Sequence, residues 1–348
     1  MTRHLVLLAA VLAAVAATGA SAAKPPPPAT SAVYVVSTTT GGVVKIDPAT
    51  LQVTETIQLG APYVSSIAIA GTYLYYSAYP GATSYATIGR YNLSTRQNEP
   101  AYINQQFYSP VLRTSPRVPG VLFVGEAGLS PAGIQKWSLP TGRGKKPSLL
   151  ARTEHGPMGS NLGDYQISDD GTKIWSACGA PYDFLELNTS DLRLSGRIFP
   201  AEPYPTSVDS VSVGGTEYLL GGTDSVYGNS IYLYRASDPG SGVHYGSGAT
   251  TGVDGAVALS PDASKIYRLV TDVYGQNASV ETLSAATGIV LATTPVPISP
   301  SFVEGIHVHR TSGRVFVALE NAVGVLDPDG TLLQTIPNVA GAGQVLIT

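Results

Sequence analysis

Hydrophobic and polar positions alternate in short runs along most of the chain, and Gly, Pro, Asn or Asp bounds each run. Period-two alternation over four to eight residues marks half-buried strands. Residues 32–36, 73–76, 173–176 and 314–317 read this way, as do 66–69, 211–213 and 256–259. Beyond the first segment, no amphipathic helical pattern outlasts a turn or two.

The runs recur at a fixed period. Asp47, Asn92, Ser138, Asn188, Arg235, Ser284 and Asp327 occupy equivalent positions before a turn, at spacings of 45, 46, 50, 47, 49 and 43. Seven units of this length fit a β-propeller with four strands per blade. The chain opens on a second-type strand, Ala32-Val33-Tyr34-Val35-Val36, and finishes on a lone first-type strand, Gln344-Val345-Leu346-Ile347. Pairing the two would complete the N-terminal blade and close the ring, leaving no open sheet edge between the first and last blades. The fold class expected is all-β, a single seven-bladed propeller over 32–348.

The first unit carries Val33-Tyr34-Val35-Val36-Ser37, then Gly42-Val43-Val44-Lys45-Ile46-Asp47-Pro48-Ala49-Thr50, then Val53-Thr54-Glu55-Thr56-Ile57. Together with the turn Ser260-Pro261-Asp262-Ala263-Ser264, it resembles the YVTN-repeat family of seven-bladed propellers. That family spans surface-layer proteins, secreted binding proteins and lactonase-like enzymes. The resemblance therefore implies the fold and leaves the function open.

The ends and the composition set the context. Arg3 and His4 precede an apolar run over 5–17, followed by Ala20-Ser21-Ala22 as a cleavage site. Residues 1–22 thus read as a secretory signal peptide and 23–31 as a Pro-rich spacer. No stretch is long enough for a comfortable membrane span, so the expected location is extracellular, or periplasmic in a Gram-negative source. The net charge of −4 excludes a broad basic surface for nucleic acid. Charged residues are only 13% and hydrophobic residues 43%, enough for a large core. Cys178 stands alone, so no intrachain disulfide forms, and a buried thiol is expected there. Asn92, Asn188 and Asn277 begin N-glycosylation sequons, relevant in a eukaryotic source.

Candidate chemistry gathers where the first strands of the blades begin. Asp164, Asp209, Asp254 and Glu304 sit just before four successive first strands, at spacings of 45, 45 and 50. Carboxylates converging on one channel mouth repel unless a cation or proton neutralises them, so a Ca²⁺ site is one reading. Capping of turns and neighbouring backbone is the other. His307 and His309 alternate on one strand and face one side, but a third metal ligand is lacking. His155 lies in a loop at the mouth. No nucleophile elbow occurs, and the Gly-rich stretch 240–248 reads as a flexible turn rather than a nucleotide cradle. The second unit is dense in tyrosine, of which Tyr79 and Tyr85 are expected as exposed contacts for a sugar or a protein.

These readings favour a secreted, monomeric, noncatalytic binding or scaffold protein whose partner is an extracellular glycan or protein. The alternative is a metal-dependent hydrolase or lactonase with its acidic site at the channel mouth.

Overall fold

The computed structural model describes residues 31–127, 133–140, 145–153, 160–180, 182–201, 204–223, 230–245, 256–271, 278–296 and 305–348. Among them the chain forms seven four-stranded antiparallel sheets and no helix. The chain is a seven-bladed β-propeller. The expected signal peptide and most of the expected spacer, with Asp254, Glu304, His155 and Asn277, lie outside the described residues.

The innermost strands of blades 1 to 7 are Ala342–Ile347, Ile67–Ala70, Pro110–Arg113, Ser160–Ile167, Pro205–Val213, Val257–Leu259 and Ile306–Val308. Each blade runs inner strand, second, third, outer, then links to the next inner strand. All inner strands consequently begin at one mouth of the central channel, here the upper mouth, and end at the lower one. Blade 1 is shared between the chain ends. Ala342–Ile347 pairs antiparallel with Val33–Ser37, matching Val33 to Ile347 and Val35 to Val345. Ser31 Oγ donates to the Thr348 carbonyl at 2.6 Å, and Thr348 N–H donates to Ala32 O at 3.0 Å, fastening the seam.

The repeat position is a turn with its own chemistry. Asp47 Oδ1 accepts the N–H groups of Ala49 and Thr50 at 2.7 and 3.2 Å, and Asn92 Oδ1 accepts those of Ser94 and Thr95, both at 2.9 Å. Four residues on, Leu51 and Arg96 take left-handed φ values of 59°. Asp327 caps its turn the same way, through Asp329 and Thr331 at 2.9 and 2.8 Å. These short polar side chains supply the turn hydrogen bonds. The Ser260-to-Ser264 turn is a second kind: Ser260 Oγ donates to Asp262 Oδ1 at 2.6 Å and accepts Lys265 N–H at 2.9 Å. These hydroxyl and backbone donors hold the Asp262 carboxyl at about 2.

Apolar clusters form between blades. One joins Val33, Val35 and Val44 of blade 1 to Phe316, Val323 and Val325 of blade 7. Another joins Val121 and Phe123 of blade 3 to Tyr165 and Ile174 of blade 4. Contact is close enough to require glycine in places: a Cβ on Gly221 of blade 5 would lie 2.1 Å from Cζ of Phe184 in blade 4. Four tyrosines of the second unit, Tyr75, Tyr76, Tyr79 and Tyr91, are buried. Arg90 lies 4.6 Å from the Tyr73 ring centroid and 3.9 Å from that of Tyr102, and binds Glu99 at 2.7 Å. Cys178 is buried, and burial pushes its thiol up to about 12.

The Gly-rich stretch departs from expectation. Its residues 240–245 belong to the outer strand of blade 5, Asp238–Tyr245, rather than to a flexible turn, and 246–248 lie outside the described residues. The strand's side chains are mostly exposed, so the alternation that marks inner strands is absent there.

The turn geometry yields a paired outcome. Asn92→Ala strands two backbone N–H groups, lowering stability by about 1 kcal/mol. Arg96→Gly at the exposed left-handed position relieves strain and raises stability by up to about 1 kcal/mol. Urea unfolding of both variants checks the opposite signs.

Candidate active site

An inner strand has a partner on one edge only, so its other edge faces the axis with unpaired N–H and C=O groups. Side chains from neighbouring blades fill that need. Gln344 Oε1 of blade 1 accepts Ile67 N–H at 2.6 Å and the Ser66 hydroxyl at 3.1 Å. Ser66 Oγ in turn accepts Leu112 N–H of blade 3 at 2.8 Å. Thr114 Oγ1 donates to the Ile69 carbonyl at 2.6 Å.

Two arginine–aspartate pairs continue this stitching around the axis. Arg113 of blade 3 donates through Nη2 to Asp164 Oδ1 at 2.7 Å and through Nε to the Tyr165 carbonyl at 3.1 Å, both in blade 4. Asp209 Oδ2 of blade 5 accepts Leu259 N–H of blade 6 at 2.8 Å. Arg310, two residues past the inner strand of blade 7, reaches across blade 6. It donates to Leu259 O at 2.9 Å, Ser210 O at 2.9 Å and Asp209 Oδ1 at 2.7 Å. The four charges form an arc from blade 3 to blade 7 near the lower end of the channel.

These residues line a central cavity of about 1560 Å³, together with His307, Gln344, Thr206 and Ser207. Burial in the channel wall raises the Asp164 pKa against the opposing pull of Arg113. Burial, reinforced by Arg113 and Arg310, pushes His307 down to about 3. His307 is therefore a neutral imidazole at ordinary pH. Burial also lowers His309, which bonds Ser31 Oγ and Ser312 Oγ at 2.8 Å each and belongs to the terminal seam. The arrangement combines guanidinium N–H groups, a carboxyl of raised pKa and a neutral imidazole in one wall. That set suits polarising a carbonyl and moving a proton.

Several expectations change. Asp164 and Asp209 lie inside the inner strands Ser160–Ile167 and Pro205–Val213 rather than before them, because those strands reach past the turn signals. Each is neutralised by an arginine 2.7 Å away. Among the described residues no three His, Cys, Asp or Glu side chains gather as a metal site, and Asp254 and Glu304 of the expected set lie outside those residues. Tyr79 is not an exposed contact but 4% exposed, its ring packed edge-on against Tyr63 with centroids 5.2 Å apart. The hydroxyl of Ser65 lies 3.2 Å from its own, because residue 79 directly follows a central strand and turns inward. Tyr85 is 49% exposed, beside Tyr108. Asn92 and Asn188 sit at turns, where the Asn188 Oδ1 accepts Lys173 Nζ at 2.7 Å. The arginines went unread in the sequence, since their partners are 51 and 101 residues away.

No family model matches the chain, and no curated protein matches it. Solved structures do. The periplasmic gluconolactonase PpgL of Pseudomonas aeruginosa superposes with a TM-score of 0.64 at 15% identity, covering 91% of this chain and 99% of that one. A putative 6-phosphogluconolactonase from Bacteroides fragilis gives 0.63 at 14%, over 93% and 100%. Another from Bacteroides uniformis gives 0.64 at 13%, over 92% and 100%. At such identities the likeness establishes the fold. It also corrects the leading functional expectation: proteins described as lactonases favour the hydrolase alternative over a noncatalytic binding propeller.

The His307 shift has a consequence for stability. In the unfolded chain the imidazole titrates near 6.5, in the folded one near 3. Between those values the unfolded chain binds more protons, so the His307 contribution is lost as pH falls through that window. Asp164, shifted upward, acts in the opposite sense. The drop in Tm between pH 7 and pH 4 is therefore smaller in His307→Gln than in the parent protein. Equal drops would contradict a neutral, buried His307.

Proposed function

We propose that the protein is a lactonase that opens its substrate by hydrolysis in the central channel. The reading is carried by a central cavity of about 1560 Å³ whose lining includes Arg113, Asp164, Asp209, Arg310 and His307. It is supported by propellers described as lactonases that match over nearly the whole chain. The YVTN-like first blade and the N-terminal leader belong to the same reading, which sets the reaction in the periplasm or outside the cell.

The chemistry follows from the groups present. Water adds to the acyl carbon, the carbonyl electrons move onto oxygen, and the ring C–O bond breaks as the alkoxide leaves. The N–H groups of Arg113 and Arg310 not committed to carbonyls and carboxylates stabilise the oxyanion. Asp164, its pKa raised by burial, takes the proton of the attacking water and returns it to the leaving alkoxide. His307, unprotonated, accepts a hydrogen bond that orients the water. Asp209 holds Arg310 in place.

The test is proton release from five- and six-membered lactones at constant pH, in chelator and with added Ca²⁺, against the spontaneous rate. Acceleration by the folded protein is expected. Asp164→Asn lowers kcat by about 10²-fold or more, the usual scale for a proton-transfer group, while unfolding near the parent temperature. No acceleration with any lactone, with or without Ca²⁺, overturns the proposal.

A further inference from the structure

Several polar side chains in the cavity wall are spent on backbone or on one another. Thr114 donates to the Ile69 carbonyl, and His309 holds Ser31 and Ser312. Gln344 of blade 1 is spent by half. Its Oε1 accepts Ile67 N–H at 2.6 Å and the Ser66 hydroxyl at 3.1 Å. A backbone N–H can bond only the oxygen end of an amide, so these donors settle which way the side chain is turned. Nε2 meets no partner among the described residues, and it is not one of their unpartnered atoms sealed from solvent. Gln344 is 8% exposed and lines the cavity. Its two Nε2 hydrogens therefore open to the channel from a side chain otherwise buried and held.

The amide is tied to the proposed reacting groups. Ser66 Oγ, which donates to Gln344, accepts Leu112 N–H at 2.8 Å. The next residue, Arg113, donates to Asp164 at 2.7 Å. One series of contacts thus runs from blade 1 through blades 2 and 3 to blade 4. On the other flank, the missing side chain of Gly305 leaves space between blades 7 and 1. A Cβ there would lie 3.6 Å from His307 Nε2 and 3.5 Å from Val345 N, in the residue beside Gln344.

A fixed amide NH₂ offers two donors to oxygen acceptors of a ligand. We propose that Gln344 is a specificity residue, donating through Nε2 to hydroxyl oxygens of the lactone, so that the site selects hydroxylated lactones over unsubstituted ones. This rests on the lactonase reading and deepens it. A lactone without hydroxyls leaves both donors unmatched, which costs affinity at a buried polar group. Oxyanion stabilisation and proton transfer fall to Arg113, Arg310 and Asp164. Loss of the amide therefore changes which substrate is held rather than how the acyl bond is broken.

The experiment measures kcat/KM for glucono-1,5-lactone and for δ-valerolactone, the same ring without hydroxyls, each relative to its spontaneous rate. The parent protein is expected to prefer the hydroxylated lactone by about tenfold or more. Gln344→Glu keeps an acceptor for Ile67 and Ser66 and removes the donors. Gln344→Met removes both ends of the amide and carries the test if the first variant fails to fold. Each is expected to lower the preference about tenfold, the scale of two neutral hydrogen bonds, through a raised KM for glucono-1,5-lactone. Taking the ratio of two lactones cancels any effect of the new side chain on their common chemistry. A preference changed less than twofold in a folded variant, or no preference in the parent protein, overturns the inference and leaves the lactonase reading standing. Hydrolysis of no lactone at all overturns the lactonase reading, and this inference with it.

Discussion

Seven inner strands turn one unpaired edge each toward a common axis, and that requirement shapes the molecule from the centre outward. Backbone groups left without a partner there are costly wherever water is thinned out. The chain answers with side chains that reach from one blade to the next: Gln344 to Ile67, Ser66 to Leu112, Arg113 to Tyr165, Asp209 to Leu259 and Arg310 to Ser210. The polar lining of the cavity is a consequence of this stitching. A site for chemistry is then a modest step, because the carboxylates, guanidiniums and hydroxyls are already held in place by structural duties.

Holding them in place depends on closure. With a single cysteine the ring has no disulfide to secure it. The seam instead pairs Val33–Ser37 with Ala342–Ile347 and packs both against blade 7 through Phe316, Val323 and Val325. His309 couples the seam to the last inner strand through Ser31. Loss of register in blade 1 would therefore be felt at His307, two residues away.

Burial supplies the electrostatic character of the wall. Asp164 is kept partly tamed by Arg113 and yet raised by burial, while His307 is kept neutral by burial and by two guanidiniums. Opposite shifts on two groups that line one cavity suit a proton-transfer site.

The sequence by itself determined the number of blades, their strand content and the closing pair, because turn-forming Asp47, Asn92 and Asp327 recur at a blade's length and strand alternation is local. It also pointed to Asp164 and Asp209, whose spacing repeats with the blades. It did not show the partners of those carboxylates. Arg113 and Arg310 sit in unremarkable stretches and meet Asp164 and Asp209 only when blades 51 and 101 residues apart close around an axis. Nor did it place Tyr79, whose polar loop reads as exposed until the neighbouring ring of Tyr63 covers it. Strand and turn choices depend on a residue and its near neighbours. The state of a charge depends on what the folded ring brings beside it, and only the tertiary structure decided that.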